Sequence, residues 1–219
     1  MLLKRAIAID PNYALAYAAL SYVYLQRFFD DVQAETLNLA LANAETALSL
    51  DDRNESCHRA VGVALTFLEK YDLAGAHLDK ALALNPNNVI AAAARANWLV
   101  RVGRPEEALQ TLDEAVKRDP LHPPWFWEVR TMILFQQKRY EGVIEAINRK
   151  SPLRHWDHAY LAAAYIRLGR IDEARAESAE VLRMKPDFSI AAYAIEDPYK
   201  NPADQKHVLD AFLAAGLPK

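Results

Sequence analysis

The sequence contains a segment that repeats itself without a gap. Its two copies, Glu55–Asn88 and Val89–His122, have equal length and carry small or apolar residues at matching positions. Two antiparallel helices approach each other closely at such positions, and a proline-containing turn closes each copy. A single hairpin of this size cannot bury its apolar face, so neighbouring copies must stack to build a core. The matching residues are Gly62, Leu65, Ala74, Leu78, Ala81 and Pro86 in the first copy, and Ala96, Leu99, Ala108, Leu112, Ala115 and Pro120 in the second.

This pattern, with its period of about 34 residues, resembles the tetratricopeptide repeat (TPR). The resemblance implies an all-α fold, namely a right-handed α-solenoid of TPR helical hairpins with a C-terminal capping helix. It divides the chain into the end of a truncated repeat (1–11), a repeat with an enlarged inter-helix segment (12–54), two regular repeats (55–88 and 89–122), a short repeat (123–154), a further regular repeat (155–188) and C-terminal capping helices (189–219).

The first part of the chain departs from the regular pattern in two ways. Residues 1–11 align only with the second helix of a repeat, so we interpret the chain as a fragment of a longer protein, with a short N-terminal cap as the alternative. The segment Gln26–Glu35 is longer than its counterparts, through either an extended helix or an enlarged loop. In a loop, Phe28 and Phe29 would offer a contact site; otherwise they pack back on the hairpin.

One charged residue interrupts the apolar pattern of the second copy. Arg95 occupies the position that Val61 holds in the first copy. A long arginine side chain can extend its charged end to water from such a position. Alternatively, Arg95 pairs with an acid of the preceding copy, such as Glu69 or Asp72.

Composition excludes several classes of protein. The 219 residues carry a net charge of −3, which does not favour a nucleic-acid partner. Cys57 is the single cysteine, so no intrachain disulfide can form, and we expect a reducing, cytoplasmic environment. No apolar run reaches the roughly 18 residues of a membrane span, so we expect no membrane interaction.

Few residues are candidates for catalysis or metal binding. His155 and His158 are spaced i, i+3 on one predicted helix, but a zinc site needs further ligands and no spaced partner is evident. Cys57 and His58 are adjacent in sequence and therefore point apart on a helix. No glycine-rich phosphate loop or nucleophile motif is present. We therefore predict that the chain is not an enzyme and that it holds no metal or cofactor.

Two further stretches narrow the resemblance. His122–Trp127 with Arg139–Glu141, and Pro198–Asp204 with the continuation to Pro218, are similar to the C-terminal TPR region of bacterial class III adenylate/guanylate cyclase-type proteins. This resemblance covers the chain from about Glu55 onward and implies a regulatory or interaction region. The cyclase domain itself is absent, because the sequence has no strand pattern.

The resemblance places any functional surface in the concave groove, which the first helix of each hairpin lines. We predict that a protein or peptide partner binds there, in a regulatory or scaffold region of a larger bacterial protein. The alternative is homo-oligomerisation or an intramolecular docking arm of a nucleotide cyclase-type signalling protein. Aromatic and arginine side chains are enriched in interfaces. The candidate groove residues are Tyr22, Gln26, Arg59, Thr66, Phe67, Asn97, Arg101, Trp127, Phe135, Trp156 and Arg167.

Overall fold

A computed structural model of the chain describes residues 2–219, apart from the side chain of Asp31. Every regular element among these residues is an α-helix. Met1, the first residue of the predicted truncated repeat, lies outside the described part. In chain order the helices are α1 (Leu2–Ile9), α2 (Ala14–Asp31), α3 (Ala34–Leu50), α4 (Glu55–Phe67), α5 (Tyr71–Leu84), α6 (Val89–Arg101), α7 (Pro105–Arg118), α8 (Trp125–Gln136), α9 (Tyr140–Ile147), α10 (His155–Arg167), α11 (Ile171–Met184), α12 (Ile190–Glu196) and α13 (Pro202–Ala214).

The helices belong to two compact units, one through Trp98 and the other from Leu99 onward. In the first unit, α2 and α3 form one hairpin, α4 and α5 form the next, and α4 packs against both helices of the first hairpin. In the second unit, α8 pairs with α9 and α10 pairs with α11, while α9 also packs against α10. Each of these helices therefore finds its partners in its own hairpin and in the adjacent one, as a stack of repeats requires.

Small residues mark the places where helices of the first unit approach most closely. A Cβ atom added to Gly75 would lie 2.5 Å from the Trp98 ring, whose Nε1 donates a hydrogen bond of 2.9 Å to the Tyr71 carbonyl oxygen. A Cβ atom added to Gly62 would lie 2.7 Å from Cγ of Leu78. Gly62, a small position of the repeated pattern, and Gly75, which lies outside the pattern, therefore make room for large apolar side chains of the neighbouring helix.

The first hairpin is longer than the second because α2 is extended. α2 has 18 residues, whereas α4 has 13. Most of Gln26–Glu35, which the sequence presented as an enlarged inter-helix segment, is helical, and α2 is followed by a short connection at Val32 and Gln33. The additional turns bring Phe28 into the core against Leu25, where only 2% of Phe28 is exposed. Of the two alternatives, the extended helix is the one observed.

Arg95 reaches from α6 to the second helix of the preceding hairpin. Its Nε atom donates a hydrogen bond of 2.6 Å to Oδ1 of Asp79, an acid that the sequence analysis did not single out. The Asp79 side chain is 59% exposed, so this ion pair contributes at most about 1 kcal/mol. Arg95 is therefore tolerated at an apolar position because its charge meets an acid at the surface.

Two glycines end the first helix of their hairpins in the same way. Gly103 follows α6 with φ of 79°, and Gly169 follows α10 with φ of 75°. Glycine adopts this left-handed conformation without a Cβ penalty, which makes it the common residue at helix C-termini. Each of these two helices therefore ends at a glycine in the left-handed conformation.

Candidate functional site

Six of the candidate groove residues lie in the first unit, on the first helices of its hairpins. Tyr22 and Gln26 are on α2, Arg59, Thr66 and Phe67 are on α4, and Asn97 is on α6. Because α2 and α4 pack side by side, residues of these two helices can form one surface.

Tyr22 and Arg59 form the best-defined contact of this surface. Nη1 of Arg59 donates a hydrogen bond of 2.6 Å to the Tyr22 hydroxyl, and its Cζ lies 5.0 Å from the centre of the Tyr22 ring. Burial raises the pKa of Tyr22 to about 12, although the charge of Arg59 opposes this shift, so the phenol stays neutral. Glu55 lies 3.9 Å from Nε of Arg59. The guanidinium is therefore held in one orientation before any partner arrives.

Phe67 forms the other end of the surface with Phe29. Their rings are 5.1 Å apart and nearly perpendicular, an edge-to-face arrangement that aromatic pairs prefer. Both residues are half-buried and rest on the core around Leu25 and Phe28. We call the surface formed by Tyr22, Gln26, Phe29, Arg59 and Phe67 the α2–α4 face.

The spacing along each helix explains why these residues share the α2–α4 face. Tyr22, Gln26 and Phe29 stand at i, i+4 and i+7 of α2, and Arg59 and Phe67 stand eight residues apart on α4. Residues at such intervals project from the same side of a helix. Gln26 is exposed, whereas Thr66 is buried and its hydroxyl donates to the Gly62 carbonyl oxygen over 2.8 Å. Thr66 is therefore not a surface residue.

Two of the candidates in the second unit are interior residues, contrary to expectation. Arg101 is only 3% exposed and forms an ion pair with Asp197. Phe135 is fully buried, with its ring 5.4 Å from that of Tyr160 and 5.1 Å from that of His207. Neither side chain can meet a partner, because the C-terminal part of the chain covers both.

The covering segment follows α12 and comprises residues 197–217, which we call the C-terminal segment. Its helix α13 packs against α10 and α8, as well as against α12. The main chain of Lys200 donates to the carbonyl oxygen of Arg101 over 2.9 Å, and Gln136 Nε2 donates to the carbonyl oxygen of Asp204 over 3.2 Å. The C-terminal segment therefore covers the part of α8 and α10 on which Phe135 lies.

A buried tyrosine cluster fixes the C-terminal segment at its start. The Tyr193 hydroxyl donates to Oδ2 of Asp197 over 2.6 Å, and the Tyr160 oxygen lies 3.0 Å from that of Tyr193 and 3.5 Å from that of Tyr199. Burial raises the pKa of Tyr160 and of Tyr193 well above the usual value, so both hydroxyls keep their protons. Further along, Phe212 is fully buried, with its ring 4.9 Å from that of Tyr193.

The other three candidates of the second unit stay at the surface. Trp127 is half-buried, with the Cζ atom of Arg130 5.6 Å from its ring centre. Trp156 is also half-buried, and the Cζ atom of Arg154 lies 4.9 Å from its ring. Arg167 is exposed, and its Nη2 is 3.4 Å from the carbonyl oxygen of His207.

The residues considered for catalysis or metal binding are engaged in packing or in an ion pair. Cys57 is fully buried, and burial raises the pKa of its thiol to about 11, so it carries no thiolate at neutral pH. Nδ1 of His158 pairs with Oε2 of Glu177 at 2.5 Å, whereas the His155 ring packs on Trp156. Among the described residues, no group of three or more potential ligands has the arrangement of a metal site.

Family models agree with the repeated architecture. Models of the tetratricopeptide repeat match residues 68–133 and residues 161–188. These two stretches therefore match the tetratricopeptide repeat. No protein with a curated description matches it significantly. None of the helices in the described part is both long enough and apolar enough to span a membrane.

Solved structures show the same TPR architecture at low sequence identity. A chain of the APC/C hetero-tetramer Cut9–Hcn1 superposes with a TM-score of 0.70 at 14% identity, over 98% of this chain and 42% of that one. TTC0263, a TPR protein of Thermus thermophilus, gives 0.60 at 18% identity, over 88% and 99%. YrrB, described as a TPR protein with an unusual peptide-binding site, gives 0.52 at 19% identity, over 88% and 96%. The prediction of an all-α TPR solenoid is confirmed.

Proposed function

We propose that this TPR chain is an interaction module and that a protein or peptide partner binds on its α2–α4 face. TPR proteins mediate protein–protein interactions, and one structural neighbour is described as having a peptide-binding site. The observation that carries the proposal is the contrast between the two units. The α2–α4 face keeps aromatic side chains and an arginine partly open and in contact with one another, whereas in the second unit the C-terminal segment buries two of the five candidates, Arg101 and Phe135.

The α2–α4 face has the chemistry that interfaces select. Tyr22, Phe29 and Phe67 give apolar contact area without the entropy cost of ordering flexible side chains, because each already packs against the core. Arg59 is held by the Tyr22 hydroxyl and is suited to a partner carboxylate. A peptide with an apolar anchor and an acidic residue fits this arrangement, and Gln26 offers a polar contact at the rim.

Binding at the covered side of α8 and α10 would require displacement of the C-terminal segment. That displacement would expose Phe212 and Val208, which are both fully buried, and would break the ion pair between Arg101 and Asp197. Exposing one such apolar side chain alone costs about 1.5–3 kcal/mol. Partner binding in the first unit carries no such cost.

A peptide selection tests this assignment. Random peptides displayed on phage are selected on the immobilised full chain, and the dissociation constant of the strongest binder is measured by fluorescence anisotropy. We expect Arg59→Gln to weaken binding at least about tenfold, which corresponds to about 1.4 kcal/mol, because it removes the cation that meets the acidic residue of the peptide. Gln26→Glu should weaken binding in the same direction, because it places a negative charge on the face that receives that residue. Gln26 is exposed, so this second variant leaves the fold intact.

The matched control is Arg167→Gln, the same chemical change on α10 of the second unit. It should leave the dissociation constant within about twofold, since surface substitutions away from a contact have small effects. An equal loss in Arg59→Gln and Arg167→Gln, or no loss in either α2–α4 variant, would place the binding surface elsewhere and overturn the proposal.

The proposal also includes the location of the chain and the kind of protein to which it belongs. We infer a non-catalytic, cytoplasmic role as the regulatory or scaffold region of a larger bacterial protein, and the resemblance of the stretches around His122 and Pro198 supports a cyclase-type parent. A coding sequence for a cyclase domain upstream of Met1 in the gene would support that parent, and a complete gene beginning at Met1 would contradict it.

A further inference from the structure

Two histidine rings join the helices α4 and α5 of one hairpin. His58 lies on α4 and His77 on α5, and their Nδ1 atoms are 3.1 Å apart. The ring centres are 5.3 Å apart and the ring planes are tilted by 35°, so the rings meet at their edges and do not stack. A hydrogen bond between the two Nδ1 atoms needs a proton on one of them and a lone pair on the other. The contact therefore depends on how many protons the two rings carry.

The main chain fixes the tautomer of His58. Its Nε2 lies 3.0 Å from the carbonyl oxygen of Asp52, which can only accept a hydrogen bond, so Nε2 carries a proton. In the neutral ring, Nδ1 of His58 is therefore the acceptor, and Nδ1 of His77 donates to it. One added proton is tolerated, because a singly charged pair still has one proton between the two Nδ1 atoms. A second added proton would set two N–H groups and two positive charges against each other.

The surroundings of the pair do not favour that second charge. Burial, followed by the charge of His58, lowers the pKa of His77. Glu45 faces the pair from α3, and its carboxylate opposes this shift without outweighing it. Both rings are half-buried, so water solvates them only in part.

Other charged side chains near the pair are engaged elsewhere or exposed. Arg59, which follows His58 on α4, contacts the Tyr22 hydroxyl of α2. Asp79 of α5 pairs with Arg95 of α6. Asp52 and Lys80 are exposed. Glu45 is therefore the carboxylate on which a doubly protonated pair depends.

The repeat at 155–188 makes the same contact with different chemistry. His158 and Glu177 stand 19 positions apart, as His58 and His77 do, and they join α10 to α11. Nδ1 of His158 lies 2.5 Å from Oε2 of Glu177. A carboxylate stabilises a protonated ring, whereas a second protonated histidine repels it. The residue on the second helix therefore decides whether acid strengthens or weakens the contact within the hairpin.

We propose that His58 and His77 form a pH-sensitive switch that holds α4 against α5 at neutral pH and releases this contact when both rings are protonated. In the opened hairpin each ring takes up a proton below about pH 6.5. The stabilisation by the closed pair is therefore complete above that pH and is lost as the pH falls below it. Because α4 carries Arg59, acid should also release a peptide from the α2–α4 face. That consequence rests on the proposed function, and the two experiments that follow do not use it.

Nuclear magnetic resonance of the ring nitrogens in the full chain tests the shared proton. Long-range proton–nitrogen spectra between pH 8 and 4.5 report the protonation of each histidine. At neutral pH, His58 should carry its proton on Nε2, and the pair should titrate in two separate steps, the second below pH 6.5. In His58→Gln the charged neighbour of His77 is gone, so the midpoint of His77 should rise by about half a pH unit or more. A midpoint of His77 that His58→Gln leaves unchanged would overturn the proposal.

Hydrogen exchange of the full chain tests the release of the hairpin. Amide protection in α4 and α5 is compared at pH 7 and pH 5 by mass spectrometry, after correction for the intrinsic effect of pH. Protection in the wild type should fall about five- to tenfold on acidification, which corresponds to a shift of about one pKa unit. His77→Glu rebuilds the histidine–carboxylate contact of His158 and Glu177, so the fall should disappear. His77→Gln, which cannot take up the second proton, should also remove it.

The control for the exchange experiment is His122→Gln, which removes a histidine outside the pair. It should keep the full acid response of α4 and α5. A wild-type chain without that response, or an equal response in the wild type, His77→Glu and His77→Gln, would show that the pair does not act as a switch.

Discussion

Arg101 and Asp197 form a buried ion pair between residues that are 96 positions apart in the chain. Arg101 is the last residue of α6, and Asp197 directly follows α12. Burial alone lowers the pKa of the Arg101 guanidinium, but the charge of Asp197 and the neighbouring tyrosines together outweigh this effect and raise the pKa. The Tyr193 hydroxyl donates to the other oxygen of Asp197. This pair fixes the C-terminal segment to the end of α6 that belongs to the second unit.

Removing one partner of this pair should destabilise the second unit strongly. Arg101→Met leaves Asp197 buried without its cation, and breaking such a pair costs about 3–5 kcal/mol. The free energy of unfolding, measured by urea titration followed by circular dichroism, should fall by that amount. The double variant Arg101→Met/Asp197→Leu should recover a large part of the loss, because no charge is left buried. A loss of less than about 1 kcal/mol in Arg101→Met would show that water reaches Asp197 in solution.

Gly75 should not tolerate an added methyl group. Its Cβ would lie 2.5 Å from the Trp98 ring, which is held by the hydrogen bond to Tyr71. Overpacking of this kind costs about 1–3 kcal/mol, which outweighs the gain of about 1 kcal/mol in helix propensity. Gly75→Ala should therefore lower the thermal unfolding midpoint, measured by circular dichroism.

Gly142→Ala is the control for the Gly75 prediction. Its added Cβ would lie 3.3 Å from Cδ1 of Leu134, the movable end of a side chain, within helix α9. The same substitution should there keep or raise the unfolding midpoint, since the neighbour can shift and helix propensity improves. Equal midpoints for the two variants would contradict the close packing at Gly75.

The sequence alone predicts the hairpins and their contacts with neighbours. Small residues such as Gly62 and Ala74 repeat because adjacent helices touch there, and Gly103 marks a helix end because of its backbone conformation. These are local consequences of a repeated pattern, so a pattern reveals them. The sequence also grouped Tyr22 with Arg59, since both project from first helices towards one side.

The repeat pattern could not predict that the C-terminal segment covers part of α8 and α10. Trp127 and Phe135 stand eight residues apart on α8, and a helical pattern gives them the same side. One is half-buried and the other fully buried, because only Phe135 lies under His207 of the C-terminal segment. A repeat period describes contacts between neighbours, whereas this contact joins residues more than seventy positions apart.

Cys57 should be unreactive in the native chain. It is fully buried, and burial raises the pKa of its thiol to about 11. At pH 8 the thiolate fraction is then about a hundredfold below that of an ordinary cysteine, before steric protection is counted. Labelling with Ellman's reagent should accordingly be at least about a hundredfold slower in buffer than in guanidinium chloride. Comparable rates in the two solutions would show that α4 opens on the timescale of labelling.

His155 should make the second unit less stable in mild acid. Burial, with a contribution from the charge of Lys185, lowers the pKa of this histidine from 6.5 to about 4. The folded state therefore keeps the ring neutral, whereas the unfolded chain takes up a proton below pH 6.5. The contribution of the neutral His155 ring to the free energy of unfolding is fully present above pH 6.5. It is lost as the pH falls from 6.5 towards 4.

The variant His155→Gln isolates this effect, because glutamine cannot be protonated in this range. The thermal unfolding midpoints of wild type and variant should differ by a constant amount between pH 7 and 8, where His155 is neutral in both states. Between pH 6.5 and 4 the wild-type midpoint should fall more steeply than that of the variant. Parallel curves over the whole range would mean that the ring, which packs between Trp156 and Phe188, accepts a proton in the folded state as readily as in the unfolded chain.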